Sequence, residues 1–127
     1  MADDDLGALR DARRWHDVFR ALTLRAAGSG DAESRIRDWN EAGMLMLDKF
    51  ANQAEAIRCF EASLALEPDQ PEISACLRDL HERRRDWDAL ERLARTEDER
   101  AAVRALRRKH RSLWKRLFLP TPRGGRR

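Results

Sequence analysis

Three histidines (His16, His81, His110) and two cysteines (Cys59, Cys76) are the side chains best suited to act as base, nucleophile or metal ligand near neutral pH. Nucleophilic catalysis needs a Cys or Ser beside a base that a third group orients. A structural zinc site needs Cys and His at short, paired spacings. Neither pattern occurs. Cys76 and His81 are five residues apart, which does not bring them together on one helical face, and His81 reads as a surface or groove residue. No glycine-rich phosphate loop and no G-x-S-x-G elbow is present. Asp79 with Arg83 and Glu91 with Arg95 stand four apart, as ion pairs along a helix worth only about 0.2–0.5 kcal/mol each. Both cysteines fall within apolar helical patterns and read as buried reduced thiols, although the sequence leaves a disulfide open. The expectation is a chain with no catalytic group, no metal and no cofactor.

Charge is more informative. The chain has 127 residues and a formal net charge of +3. Residues 100–127 hold eleven Lys and Arg and no acid, so the preceding residues carry a net −8. An acidic body with a basic end bears on partners rather than on fold. Arg104, Arg107, Arg108, Lys109, Arg111, Lys115 and Arg116 surround an apolar stripe, and Trp114, Leu117, Phe118 and Leu119 add a bulky end. Three readings fit this segment. It caps the end of the fold, it lies on an anionic membrane, or it grips nucleic-acid phosphates or an acidic protein. The first does not exclude the others, because packing one face leaves the basic face available.

The elements that position these residues are helices. Ala, Leu, Arg and Glu are abundant and lose little side-chain entropy in a helix. The first segment, about 4–27, reads as one bent helix or as two that part near Arg13. Trp15, Val18, Phe19 and Leu22 share a face. After Gly28-Ser29-Gly30, Asp31 caps a helix with the stripe Ile36, Trp39, Gly43, Leu47 and Phe50. Asn52, with Glu55 three residues on, opens a helix burying Ala56, Ile57, Phe60 and Leu64, which ends before Pro68. Pro71 opens the next, with Ile73, Cys76, Leu77 and Leu80 inward. Asp86 caps a short helix with Trp87, Leu90 and Ala94 inward. Thr96 and Glu99 open the last, with Val103, Leu106, His110, Leu113 and Leu117 on one face. Pro120 and Pro122 end it. Links this short make neighbouring helices antiparallel.

The pattern repeats. Ala56 and Ala89 are thirty-three apart, as are Phe60 and Leu93, and Trp15 and Trp87 are seventy-two apart. Periods in the thirties mark stacked helix pairs. On Gly43, Ala56, Phe60 and Pro68 the stretch 37–70 resembles a tetratricopeptide repeat. The segment from Leu77 through Trp87 to Ala94 resembles a second unit, and the segment up to Ala27 the back half of a third. The chain departs from the family in three respects. Gly43 to Ala56 is one residue longer than usual. Asn40, and Met46 or Leu47, replace the family's aromatic residues. Arg78 fills a position that is usually small.

The resemblance implies an all-α fold, a short right-handed solenoid of antiparallel helix hairpins with six or seven helices. It implies one domain over 1–118, closed by a basic capping helix at about 97–118, and a flexible basic tail at 119–127. It also implies a concave groove lined by Asn40, Met44 and Asp48 from one unit and Asp79, Glu82 and Arg83 from the next. Such a groove holds a peptide or helix of another protein. The function expected is therefore a non-catalytic adaptor or scaffold, with nucleic-acid or anionic-membrane binding through the basic helix as the alternative. Three repeat units are about the minimum for a stable solenoid, so pairing with a like or unlike chain is expected of the end faces. No run of eighteen apolar residues occurs, and Met-Ala-Asp-Asp-Asp lacks an apolar signal core, so a cytoplasmic location is the default expectation.

Overall fold

A computed structural model describes residues 3–118, with side chains from 5 to 117. The tail expected at 119–127, with Leu119, lies outside the described residues. Those residues form seven helices and no strand: α1 (Asp3–Asp11), α2 (Trp15–Ala26), α3 (Ala32–Phe50), α4 (Gln53–Leu66), α5 (Pro71–Arg83), α6 (Trp87–Leu93) and α7 (Glu97–Phe118). The all-α expectation holds, and the first segment is two helices rather than one bent one. Two compact units are distinguished, one within Met1–Leu80 and one within His81–Arg127, with the boundary in the last turns of α5.

In the first unit α3 packs against both α2 and α4, and α1 packs against α2. The side-chain ties show that α2 and α3 run antiparallel. At one end His16 stacks on Phe50 with centroids 4.3 Å apart, and the Lys49 ammonium lies 4.8 Å from the Trp15 ring. At the other, Arg25 meets Asp38, and Arg35 Nε donates to the Ala26 carbonyl at 2.7 Å. Leu6, Val18, Ala21, Leu22, Ala42 and Cys59 form the core, with Trp15, Phe19 and Trp39 half-buried around them.

The buried stripe of α3 differs from the one its apolar periodicity predicts. Asp38, Ala42, Gly43 and Met46 are buried, whereas Ile36, Trp39, Leu47 and Phe50 are half-buried. A helix flanked on two sides buries most deeply the arc between its neighbours, and small residues let both helices approach. Gly43 shows this directly, since a Cβ there would lie 2.5 Å from Phe60 Cε1. Phe60 itself is fully buried.

The predicted caps are in place. The side chains of Asp31, Asn52 and Asp86 accept from the backbone N–H groups of Ser34, Glu55 and Ala89, and Thr96 Oγ1 accepts from Glu99 N–H. Each satisfies a donor that the first turn leaves over.

A second regularity escapes sequence reading. Among the described residues, those other than glycine with positive φ are Arg13 (φ 57°), Ala51 (φ 49°) and Arg85 (φ 58°). Two residues after each of them a helix begins, at Trp15, Gln53 and Trp87. Five residues after each stands a buried apolar residue: Val18, Ala56 and Leu90. At Arg13 the N–H donates to the Arg10 carbonyl, and the next N–H, of Arg14, donates to Leu9. The Arg85 and Asp86 N–H groups repeat this with Glu82 and His81. These paired bonds close a helix through a left-handed residue. At Ala51 the turn is wider, because the N–H groups of Ala51 and Asn52 both reach Met46. Counted from the hinges, Ala56 falls with Leu90, thirty-four apart.

In the second unit α6 packs on α7. Ala89 and Leu90 are buried, and Trp87 and His110 meet at 5.6 Å. His81 is also buried, contrary to its reading as a surface or groove residue. It extends the stripe of Leu77 and Leu80 by one step at helical spacing.

Candidate functional site

The residues expected to line a groove fall into three environments. Met44 and Asp48, four apart on α3, are exposed, with Met44 at 52%. Asn40, one turn before them, is half-buried and already engaged. Its Nδ2 donates to Gln70 Oε1 at 3.0 Å. Gln70 Nε2 in turn donates to the Ser63 carbonyl and hydroxyl and to the Glu67 carbonyl, at 3.2, 3.0 and 2.8 Å. This network ties the Pro68–Gln70 link to α3 and α4, so the Asn40 amide group serves the fold. Gln70 carried no signal in the sequence, because its partners come from three separate segments. Asp79, Glu82 and Arg83 are exposed on α5, and Glu82 and Arg83 fall in the second unit.

A polar cleft that sequence reasoning missed opens in the first unit. It measures about 630 Å³ and is lined by Arg25, Ser34, Arg37, Asp38 and Glu41. Its floor is a two-pronged ion pair, in which Arg25 Nε and Nη2 donate to the Asp38 carboxylate at 2.8 and 2.9 Å. Asp38 is buried, and so is kept by its partner. Glu41 accepts from Arg10 at 2.6 Å. Arg25 and Asp38 are thus paired with each other and Glu41 with Arg10, while Arg37 donates to the Ser34 hydroxyl.

The Cys59 thiol is not poised as a nucleophile. Burial pushes the Cys59 thiol up to about 11, so it stays protonated at neutral pH. Cys76 is half-buried, not buried as its apolar setting predicts. Among the described residues no three His, Cys, Asp or Glu converge as a metal site.

The basic segment occupies the second half of α7. Arg104 pairs with Glu97 at 2.5 Å and Arg107 with Asp88 at 3.3 Å. Arg104 and Arg100 hold the exposed Glu97 carboxyl below its ordinary value. Arg108, Lys109, Arg111, Lys115 and Arg116 are exposed. A shallow cleft of about 360 Å³ lies among Trp87, Arg107, His110, Arg111 and Trp114.

The apolar stripe of α7 is only partly covered. Val103 and His110 are half-buried, but Leu106, Leu113, Trp114 and Leu117 are 40%, 42%, 47% and 70% exposed. At 1.5 Å per residue the seven residues of α6 span about 10 Å and the twenty-two of α7 about 33 Å. So short a helix cannot cover so long a one.

No helix among the described residues is long and apolar enough to cross a membrane. Compared with known proteins, the chain matches no family model, no curated protein and no solved structure.

Proposed function

We propose that this protein is a non-catalytic interaction module built on tetratricopeptide-like helix hairpins, which holds a peptide or helix of a partner protein. The observation that carries this reading is the threefold recurrence of one hinge. A left-handed residue is followed two residues on by a helix start and five residues on by a buried apolar residue, at Arg13, Ala51 and Arg85. The close seat of Gly43 under Phe60 supports the same reading, since stacked hairpins use a small residue at such a contact. The partner surface proposed is the exposed face of α3 that carries Met44 and Asp48. Methionine suits adaptable contacts with apolar side chains.

The test is affinity capture with the full chain, analysed by mass spectrometry in the presence of nuclease. Met44→Glu with Asp48→Lys is the comparison, because both sites are exposed, with native helicity checked by circular dichroism. Protein partners lost in the double variant support the α3 face. Equal capture by both chains would remove it as the working surface.

A further inference from the structure

The exposed half of α7 combines two properties that few surfaces share. On a helical projection of about 100° per residue, Leu113, Leu106, Leu117, His110 and Trp114 fall in that order within an arc of about 100°. Arg107, Arg111 and Lys115 follow on one edge of the arc, and Lys109 and Arg116 stand on the other. The opposite side carries Arg108 with the small residues Ala101, Ala105 and Ser112. Among the described residues Arg108, Lys109, Arg111, Lys115 and Arg116 make no ion pair, and the acids of α7 are confined to its first turn. The leucines and Trp114 are 40–70% exposed, which costs free energy in water.

From this we propose that the second half of α7, residues 106–117, docks flat on an anionic lipid surface, independently of the protein-binding face on α3. An apolar arc flanked by cations on both edges matches a bilayer interface. The leucines and Trp114 enter the acyl boundary while the long basic side chains on either side reach lipid phosphates. The cations are complementary to an anionic leaflet. Twelve residues of helix extend about 18 Å, too short to span the hydrocarbon core of about 30 Å, so the segment lies on the surface. Nucleic acid is the weaker match, because a phosphate backbone satisfies the cations and offers nothing to Leu106, Leu113 and Leu117.

The experiment is flotation of the full chain with two kinds of vesicle, pure phosphatidylcholine and an equimolar mixture with phosphatidylserine. Two surface variants accompany it, Leu113→Ser with Leu117→Ser and Lys109→Glu with Arg111→Glu, each checked for native helicity by circular dichroism. The chain is expected to float with the anionic vesicles and not with the neutral ones. The leucine variant should lose at least about tenfold in partitioning, since apolar burial contributes to interfacial binding. The charge variant should lose more than about twentyfold, at about fivefold per cation removed. Met44→Glu with Asp48→Lys should leave flotation unchanged, which separates this proposal from the protein-binding reading. Absence of flotation with anionic vesicles overturns it. So does flotation that survives the leucine variant, because charge alone would then account for binding. Tight, salt-sensitive binding of duplex DNA or RNA without flotation would assign the basic edge to nucleic acid instead.

Discussion

Gly43 sits where any side chain would strike the ring of Phe60, and that ring is enclosed on all sides. Gly43→Ala adds one methyl to a filled space. Overpacking of this kind costs about 1–3 kcal/mol even though alanine is the better helix former. We expect a lower melting temperature measured by circular dichroism. An unchanged melting temperature would mean that Phe60 can yield. The resemblance marked Gly43 as a small residue facing a partner helix and Phe60 as an aromatic one on the next helix, and the structure adds that the two meet. Asn40 shows the opposite case. Its spacing places it with Met44 and Asp48, yet its amide hydrogen bonds to Gln70, thirty residues away. Periodicity reports the face a residue lies on. It does not report a hydrogen bond made across three segments.

At the scale of the element, the hinges at Arg13, Ala51 and Arg85 are unusual, since left-handed backbone costs an L-residue with a Cβ roughly 1–2 kcal/mol. Glycine removes that strain but has more freedom to lose on folding. For Arg85→Gly we expect a net gain of about 0.5–1 kcal/mol, read as a higher denaturant midpoint with an unchanged slope. A loss would show that the Arg85 side chain contributes more than its backbone costs. Glycine is the usual signal for such a hinge; without it the sequence offered a possible break near Arg13 but no sign of left-handed backbone at Arg13, Ala51 or Arg85. Trp15 and Trp87 did mark the helices that follow, and the spacing counted from the hinges, Ala56 with Leu90, differs by one residue from that of Ala56 with Ala89. Alanine recurs often in helical sequence, whereas the hinge residue is identified by its φ.

At the scale of the whole molecule, protection from exchange should be uneven. In α3 and α4 the helices are buried between neighbours around Ala42, Met46, Ala56 and Phe60. The second half of α7 carries mostly exposed side chains. Hydrogen exchange of the full chain should therefore show α3 and α4 opening slowly and residues 106–117 exchanging early. Equal protection across both would mean that the α7 face is covered in solution, by a second copy for instance.

The all-α class, the caps at Asp31, Asn52, Asp86 and Thr96, and the charge division between body and end follow from the sequence by itself. Each depends on residues within a few positions of one another, or on composition. Tertiary structure alone decided which arc of α3 is buried, that Arg25 and Asp38 meet, that His81 turns inward and that Leu113 and Leu117 stay exposed. Every one of these depends on the length and placement of another helix. The last is the clearest, because the apolar stripe of α7 predicts burial, and only the short reach of α6 leaves half of it open.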